Sequence, residues 1–263
     1  MIMCLLFFAI DVHPDFRLIV AANRDEYYNR PTKKLQVWKQ NPRIIAGTDL
    51  EKGGTWFGVT RQGRWAAVTN YMETKLLDEY RSRGILVRDY LNSDQTPSEF
   101  IGDLAPHAAL YNGFNLVVGT LTEALYFSNR ERVAKPLHKG IFGLSNHLLD
   151  TPWPKVSYGK QGLENLVRQA HPDSDSLFSI LNDRQCAQDG NVPEPAADIE
   201  WDRLLSSAFI SGNAYGTRSS TILMIKRDNR LKLEERTYSG EGNRSPGIYS
   251  SVTYELVADN PPA

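Results

Sequence analysis

Ala21-Ala22-Asn23-Arg24-Asp25-Glu26 follows the apolar stretch Phe16-Arg17-Leu18-Ile19-Val20 and sets four polar residues directly after a strand that reads as buried. Polar side chains gathered at the end of a buried strand need partners, because burying them unpaired is costly. Taken alone, the four also suit a solvated turn that closes a hairpin. Upstream, Cys4-Leu5-Leu6-Phe7-Phe8-Ala9-Ile10 reads as a first strand, joined to residues 16–22 through the turn His13-Pro14-Asp15. This run looks briefly like a signal-peptide core. It lacks a basic leader, however, and Asp11 and His13-Pro14 interrupt it, so a buried strand is the better reading.

Working outward, a second hairpin pairs residues 55–60 with 64–70 around Arg61-Gln62-Gly63, where glycine supplies the positive φ of a tight turn. Residues 80–91 carry Ile85, Leu86, Val87, Tyr90 and Leu91 at amphipathic-helix spacing, and a shorter helix starts at Thr96-Pro97 with Glu99 at its acid-favouring end. Strand patterns return at 114–120, 124–127 and 140–145. Thr151-Pro152-Trp153-Pro154 then opens a helix running toward residue 170, and residues 176–181 form another. Residues 183–200, rich in Asp, Gln, Gly, Pro and Ala, read as the most loop-like and flexible segment. Strands follow at 219–225, 231–238 and 251–257. Strands, then helices, then strands again argue for segregated layers, an α+β architecture, in one domain spanning residues 1–263.

Composition narrows the function classes. Lys plus Arg number 30 against 31 Asp plus Glu, so no global field favours nucleic acid or an anionic membrane, and a ligand must be recognised locally. Cys4 and Cys186 make no disulfide framework, and no Cys/His spacing suggests a metal site, which fits a cytoplasmic setting. No apolar stretch approaches the ~20 residues that cross a bilayer. The sequence leaves the oligomeric state open.

Three further polar residues stand at strand ends: Asn70 after Trp65-Ala66-Ala67-Val68-Thr69, Asn146 after Phe142-Gly143-Leu144-Ser145, and Arg218 before Ser219-Ser220-Thr221. Each alone suits a turn. With Cys4 they make a constellation, since a thiol nucleophile needs a base and acyl transfer needs amide donors at the developing oxyanion. Cys4 equally suits a small apolar strand position.

Met3-Cys4-Leu5-Leu6-Phe7, Ala22-Asn23-Arg24-Asp25-Glu26, Gly53-Gly54-Thr55-Trp56-Phe57-Gly58, Thr69-Asn70-Tyr71, Tyr111-Asn112-Gly113-Phe114-Asn115-Leu116, Gly143-Leu144-Ser145-Asn146, Thr151-Pro152-Trp153-Pro154-Lys155 and Tyr215-Gly216-Thr217-Arg218-Ser219-Ser220-Thr221 run in order over nearly the whole chain. In these blocks the sequence resembles the transport and Golgi organisation protein 2 family, also named for its Asn-Arg-Asp-Glu (NRDE) motif. The resemblance implies a four-layer αββα sandwich of two mainly antiparallel sheets, similar to the N-terminal-nucleophile (Ntn) hydrolases such as bile-salt hydrolases and penicillin V acylases. By that analogy Cys4 is the nucleophile and its freed α-amine the base, Arg24 and Asp25 hold them, Asn70 and Asn146 approach the oxyanion, and Arg218 lies beside them. One feature departs from the pattern: Met1-Ile2-Met3 precedes Cys4, so removal of a single initiator Met does not free its amine. Either translation begins at Met3 and an aminopeptidase exposes Cys4, or a short leader is cleaved, or the amine stays acylated.

Family associations with haem trafficking and with acyl-CoA and lipid homeostasis imply a second class of function, the handling of an amphipathic anionic ligand in the same pocket. Asn23, Arg24, Glu26, Tyr71, His147, Trp153 and Arg218 are the candidate ligand-binding residues. Arg24 or Arg218 would take a carboxylate or phosphate, and aromatics including Tyr27, Tyr28 and Trp56 would cover an apolar body. Haem, as cargo and not as a required cofactor, would want an axial ligand, for which His147 and Cys4 are the candidates; His147 equally suits an ordinary exposed position. Ligand handling is the leading expectation, with Cys4-dependent amide hydrolysis or acyl transfer as the alternative.

Overall fold

The computed structural model describes residues 4–73, 80–169, 171–186, 203–238 and 249–258. Met1-Ile2-Met3 and most of the expected flexible segment therefore lie outside the described residues.

The strand β1 (Cys4–Ile10) is buried on both faces, which is why it reads as a continuous apolar run. Leu6 and Phe8 point into the space between two sheets, while Leu5 and Phe7 point the other way, against helices. Its partner β2 (Phe16–Tyr27) is longer than the sequence suggests and carries the whole NRDE segment within the strand. The cause is β11 (Tyr215–Lys226), which pairs with β2 along its other edge. Backbone partners on both sides hold Asn23 and Arg24, and pairing of Asp25 with Thr217 and of Glu26 with Gly216 continues the strand along β11, so all four remain extended and buried where a solvated turn was the simpler reading.

With β12 (Arg230–Tyr238), β13 (Tyr249–Val257) and β10 (Gly140–Leu144), these strands form a six-stranded antiparallel sheet of order β10-β1-β2-β11-β12-β13. The second sheet is seven-stranded and also antiparallel. Its strands run in sequence order, β3 (Thr32–Val37), β4 (Ile44–Asp49), β5 (Phe57–Thr60), β6 (Trp65–Asn70), β7 (Phe114–Gly119), β8 (Ala124–Ser128) and β9 (Ala134–Pro136). Phe8 and Trp65 meet across the gap with ring centroids 5.8 Å apart, in a core shared with Val20, Val59, Val117 and Leu223.

Helices cover the outer faces. α1 (Gly84–Asn92) and α2 (Pro97–Leu104) pack on the second sheet, while α3 (Pro154–Val167) and α4 (Ser174–Leu181) pack on the first. The result is the expected four-layer α+β sandwich. Three helix boundaries move: α1 begins at Gly84 and not residue 80, α3 ends at Val167, and α4 begins at Ser174 and not residue 176. α2 starts at the expected cap, where the Thr96 hydroxyl accepts the Glu99 N–H and the Glu99 carboxylate accepts the Thr96 N–H. No helix among the described residues is long and apolar enough to cross a membrane.

Candidate functional site

The site forms at one end of the sandwich, where β1 begins and β2 and β6 end. Strand register sets Cys4 directly opposite Arg24, and Arg24 opposite Ser219 of β11. Successive side chains alternate in direction. Arg24 and Glu26 thus join Cys4 around a cavity of about 230 Å³, whose far wall includes Trp56, Val68, Asn70 and residues 80–84. Asn23 and Asp25 point to the opposite face, toward the α3 and α4 layer.

Cys4 is 7% exposed, and its N–H donates to Asn146 Oδ1 at 3.2 Å. Its carbonyl accepts the Ser145 hydroxyl at 3.0 Å. Burial, followed by the charge of Asp25, pushes the Cys4 thiol up to about 12, against the opposing influence of the Asp25 backbone N–H and the Arg24 guanidinium. Asn146 anchors the start of β1: its Nδ2 donates to the Asn70 carbonyl at 2.8 Å while its Oδ1 takes the Cys4 N–H.

Asp25 is fully buried. One carboxylate oxygen accepts the Thr217 hydroxyl at 2.6 Å, and the other has no hydrogen-bond partner among the described residues. Burial raises its pKa, opposed first by the charge of Lys155. Lys155 itself is 5% exposed in the first turn of α3, donates to the Leu205 carbonyl at 2.8 Å, and has its pKa lowered by burial while Asp25 and Cys4 act to hold it protonated. Lys155 closes one of the sequence blocks quoted above, yet the block gives it no role, and its place beside Cys4 and Asp25 emerges only in the fold. The detectable signal is a cation in a helix's first turn, where the dipole disfavours it.

Arg24 is engaged on several sides: its Nη1 donates to Thr32 Oγ1 at 3.3 Å, its Nη2 lies 3.6 Å from Glu26 Oε2, and its guanidinium stacks 4.2 Å from the Trp56 ring centroid. Burial raises the Glu26 pKa, opposed first by Arg24 and then by the N–H of Tyr27.

The remaining expected ligand contacts sit apart from the cavity lining. Asn23 ties β2 to the helical layer, donating to the carbonyls of Leu181 and Ala208 and accepting the Ser220 hydroxyl. Tyr71 bonds His147 Nε2 at 2.9 Å and Thr151 bonds His147 Nδ1 at 2.9 Å, so both ring nitrogens are occupied; Trp153 stacks loosely behind, at 6.1 Å. Arg218 falls in a β-bulge between Thr217 and Ser219, and donates to the carbonyls of Tyr27 and Arg30. No cluster of three His, Cys, Asp or Glu side chains among the described residues could hold a metal.

The family model described as "Transport and Golgi organisation 2" (TANGO2) matches residues 3–240. The chain belongs to the TANGO2 family. Bovine (Bos taurus) and human (Homo sapiens) transport and Golgi organization protein 2 homologs are 35% and 36% identical to it, each over 97% of this chain and 99% of the relative. Among solved structures, this TANGO2-family chain is similar to a Caenorhabditis elegans N-acylethanolamine-hydrolyzing acid amidase ortholog, with TM-score 0.52 and 14% identity over 84% of this chain and 92% of that one. A mutant conjugated bile acid hydrolase from Clostridium perfringens also has TM-score 0.52, at 9% identity over 99% and 95% of the two chains. Identities this low carry the Ntn-hydrolase-like fold of the TANGO2-family chain and nothing finer.

Proposed function

We propose that this TANGO2-family chain binds one amphipathic anionic ligand of the acyl-CoA or related lipid class in the cavity over Cys4. The carrying observation is the state of Cys4: it lines the cavity, yet its N–H is held by Asn146 and burial keeps its thiol protonated. A site in that state holds a ligand better than it attacks one. The cavity volume of about 230 Å³ is below the ~300–1,000 Å³ typical of whole-ligand pockets, which suits one end of a long ligand. Haem fits less well, because both ring nitrogens of His147 are already bonded.

Cys4-dependent amide hydrolysis is the second reading, favoured by one observation. The Asp25 oxygen that has no hydrogen-bond partner among the described residues would accept a proton of an α-amine freed by removal of residues 1–3. The amide-hydrolase names of the two fold neighbours agree with it.

Intact mass of the untagged protein, followed by titration with palmitoyl-CoA and with haemin, tests the choice. A chain that retains residues before Cys4 and takes up palmitoyl-CoA is the expected result. A chain beginning at Cys4 that ignores palmitoyl-CoA but cleaves N-acyl amides, with cleavage lost in Cys4→Ala, would overturn binding in favour of hydrolysis.

A further inference from the structure

We infer that the anionic end of the ligand is received by Arg83, with Lys52 and Arg81 beside it, and not by the arginines of the NRDE segment or the β11 bulge. The inference rests on the binding reading above and deepens it by naming the subsite and the chemistry it selects.

Among the described residues, Arg24, Arg30, Lys52, Arg81 and Arg83 line the cavity with two acids, Glu26 and Asp49. In a chain whose formal charge is −1, this is a local excess of positive charge. Two of the five cations are already satisfied. Arg24 pairs with Glu26 and stacks on Trp56, and Arg30 pairs with Asp49 at 2.8 Å, Glu51 at 3.3 Å and Glu26 at 3.4 Å. Arg218 lies outside the cavity lining and spends its donors on backbone carbonyls.

Arg83 differs from these. A guanidinium carries five N–H donors, and among the described residues Arg83 uses them on one acceptor, the Gly113 carbonyl at 3.1 Å, and makes no ion pair. The acid with the strongest influence on it, Glu73, is itself bound to Arg130 and to the Gly113 N–H. Burial lowers the Arg83 pKa to about 10, which leaves it cationic at neutral pH while reporting the cost of its desolvation. An arriving oxyanion would offset that cost through paired N–H donors in the fork geometry that suits carboxylate and phosphate. Lys52 and Arg81 are exposed and extend the positive field at the rim. α1, which starts at Gly84 with no acidic residue in its first turn, adds to that field. The ligand class is therefore an apolar chain bearing a terminal carboxylate or phosphate, its charged end at Arg83 and its first carbons toward Trp56 and Val68.

Isothermal titration of the full chain with monododecyl phosphate, dodecanoate and neutral N-lauroylethanolamide, each below its micellar concentration, tests this. Both anions should bind at least about tenfold more tightly than the amide, and Arg83→Gln should erase most of that preference while changing amide affinity less than about twofold. Tighter binding of the phosphate than of dodecanoate would assign the natural ligand a phosphate, and the reverse a carboxylate. Should Arg83→Gln fail to fold, the exposed pair Lys52→Gln and Arg81→Gln should still weaken anion binding by about threefold at low salt; unchanged affinity there would overturn the inference. Binding of all three ligands without preference overturns the subsite alone. Binding of none overturns the subsite and the ligand-binding reading together.

Discussion

Lys155 occupies a position that both burial and the dipole of α3 disfavour for a cation, and Asp25 is the anion that offsets them. Their pH behaviour follows from the direction of each shift. Asp25 has a folded pKa above its reference of 3.8, so the penalty for its charge is absent below that value and grows as pH rises. Lys155 has a folded pKa below its reference of 10.5, so its penalty is absent above that value and grows as pH falls. Between those limits each depends on the other. Lys155→Met should therefore lower the free energy of unfolding by up to about 3 kcal/mol between pH 7 and 8, where both groups carry charge, with the loss shrinking as pH falls below about 7 and Asp25 protonates. Adding Asp25→Asn to Lys155→Met should recover part of the loss in denaturant unfolding; strictly additive losses would refute the pairing. The two thiols supply a second check. Cys186 is exposed, while Cys4 is buried with its thiol pushed up to about 12. Iodoacetamide should label Cys186 first, and the rate at Cys4 should climb about tenfold per pH unit between pH 7 and 9. A rate at Cys4 that ignores pH would contradict a protonated resting thiol.

At the scale of elements, α3 reaches the site only because it lies close against β1. A Cβ on Gly159 would come within 2.0 Å of the Phe7 ring, and one on Gly143 within 2.7 Å of Val156. Gly159→Ala sets two effects against each other: alanine gains about 1 kcal/mol of helix propensity, and overpacking costs about 1–3 kcal/mol. Because Phe7 is wholly buried and cannot swing aside, overpacking should win. A net destabilisation of about 1 kcal/mol in thermal or denaturant unfolding is expected, and a stabilised variant would show that the helix can shift. The same elements mark what was legible in the sequence. The apolar run of β1, the Arg61-Gln62-Gly63 hairpin and the Thr96-Pro97 cap carry local signals, and the structure has a strand, a turn and a helix start at each. β3 and β4 carried none that the reading used. Lys33 and Lys34 sit exposed on an edge strand, and Gly47 leaves β4 without a side chain where Trp56 packs. The NRDE segment looked like a turn because the strand that pairs it, β11, lies about 190 residues away in sequence. Cys4, Arg24, Glu26 and Asn70 were legible through motif order and do meet at one cavity. Arg83 lies in none of the blocks and Lys155 ends one without a role, since what makes each notable is where a helix start docks.

For the molecule as a whole, stability should be graded from the middle of each sheet outward. β1, β2 and β11 are paired on both edges and covered by helices, whereas β13 is a sheet edge with alternate residues exposed. Hydrogen exchange should be slowest in β2 and β11 and fast in β13 and β9. Protection of β13 equal to that of β2 would mean that something further covers this edge. The cavity is built by two different parties. The first sheet contributes Cys4, Arg24 and Glu26 through backbone register, and the second sheet with residues 80–84 contributes Trp56, Asn70 and Arg83. Mutational drift can therefore rework the cavity wall while the strand pairing that presents the thiol stays untouched. A chain organised in this way can change what its cavity accepts by altering a few wall residues, without disturbing the strand pairing on which its folding depends.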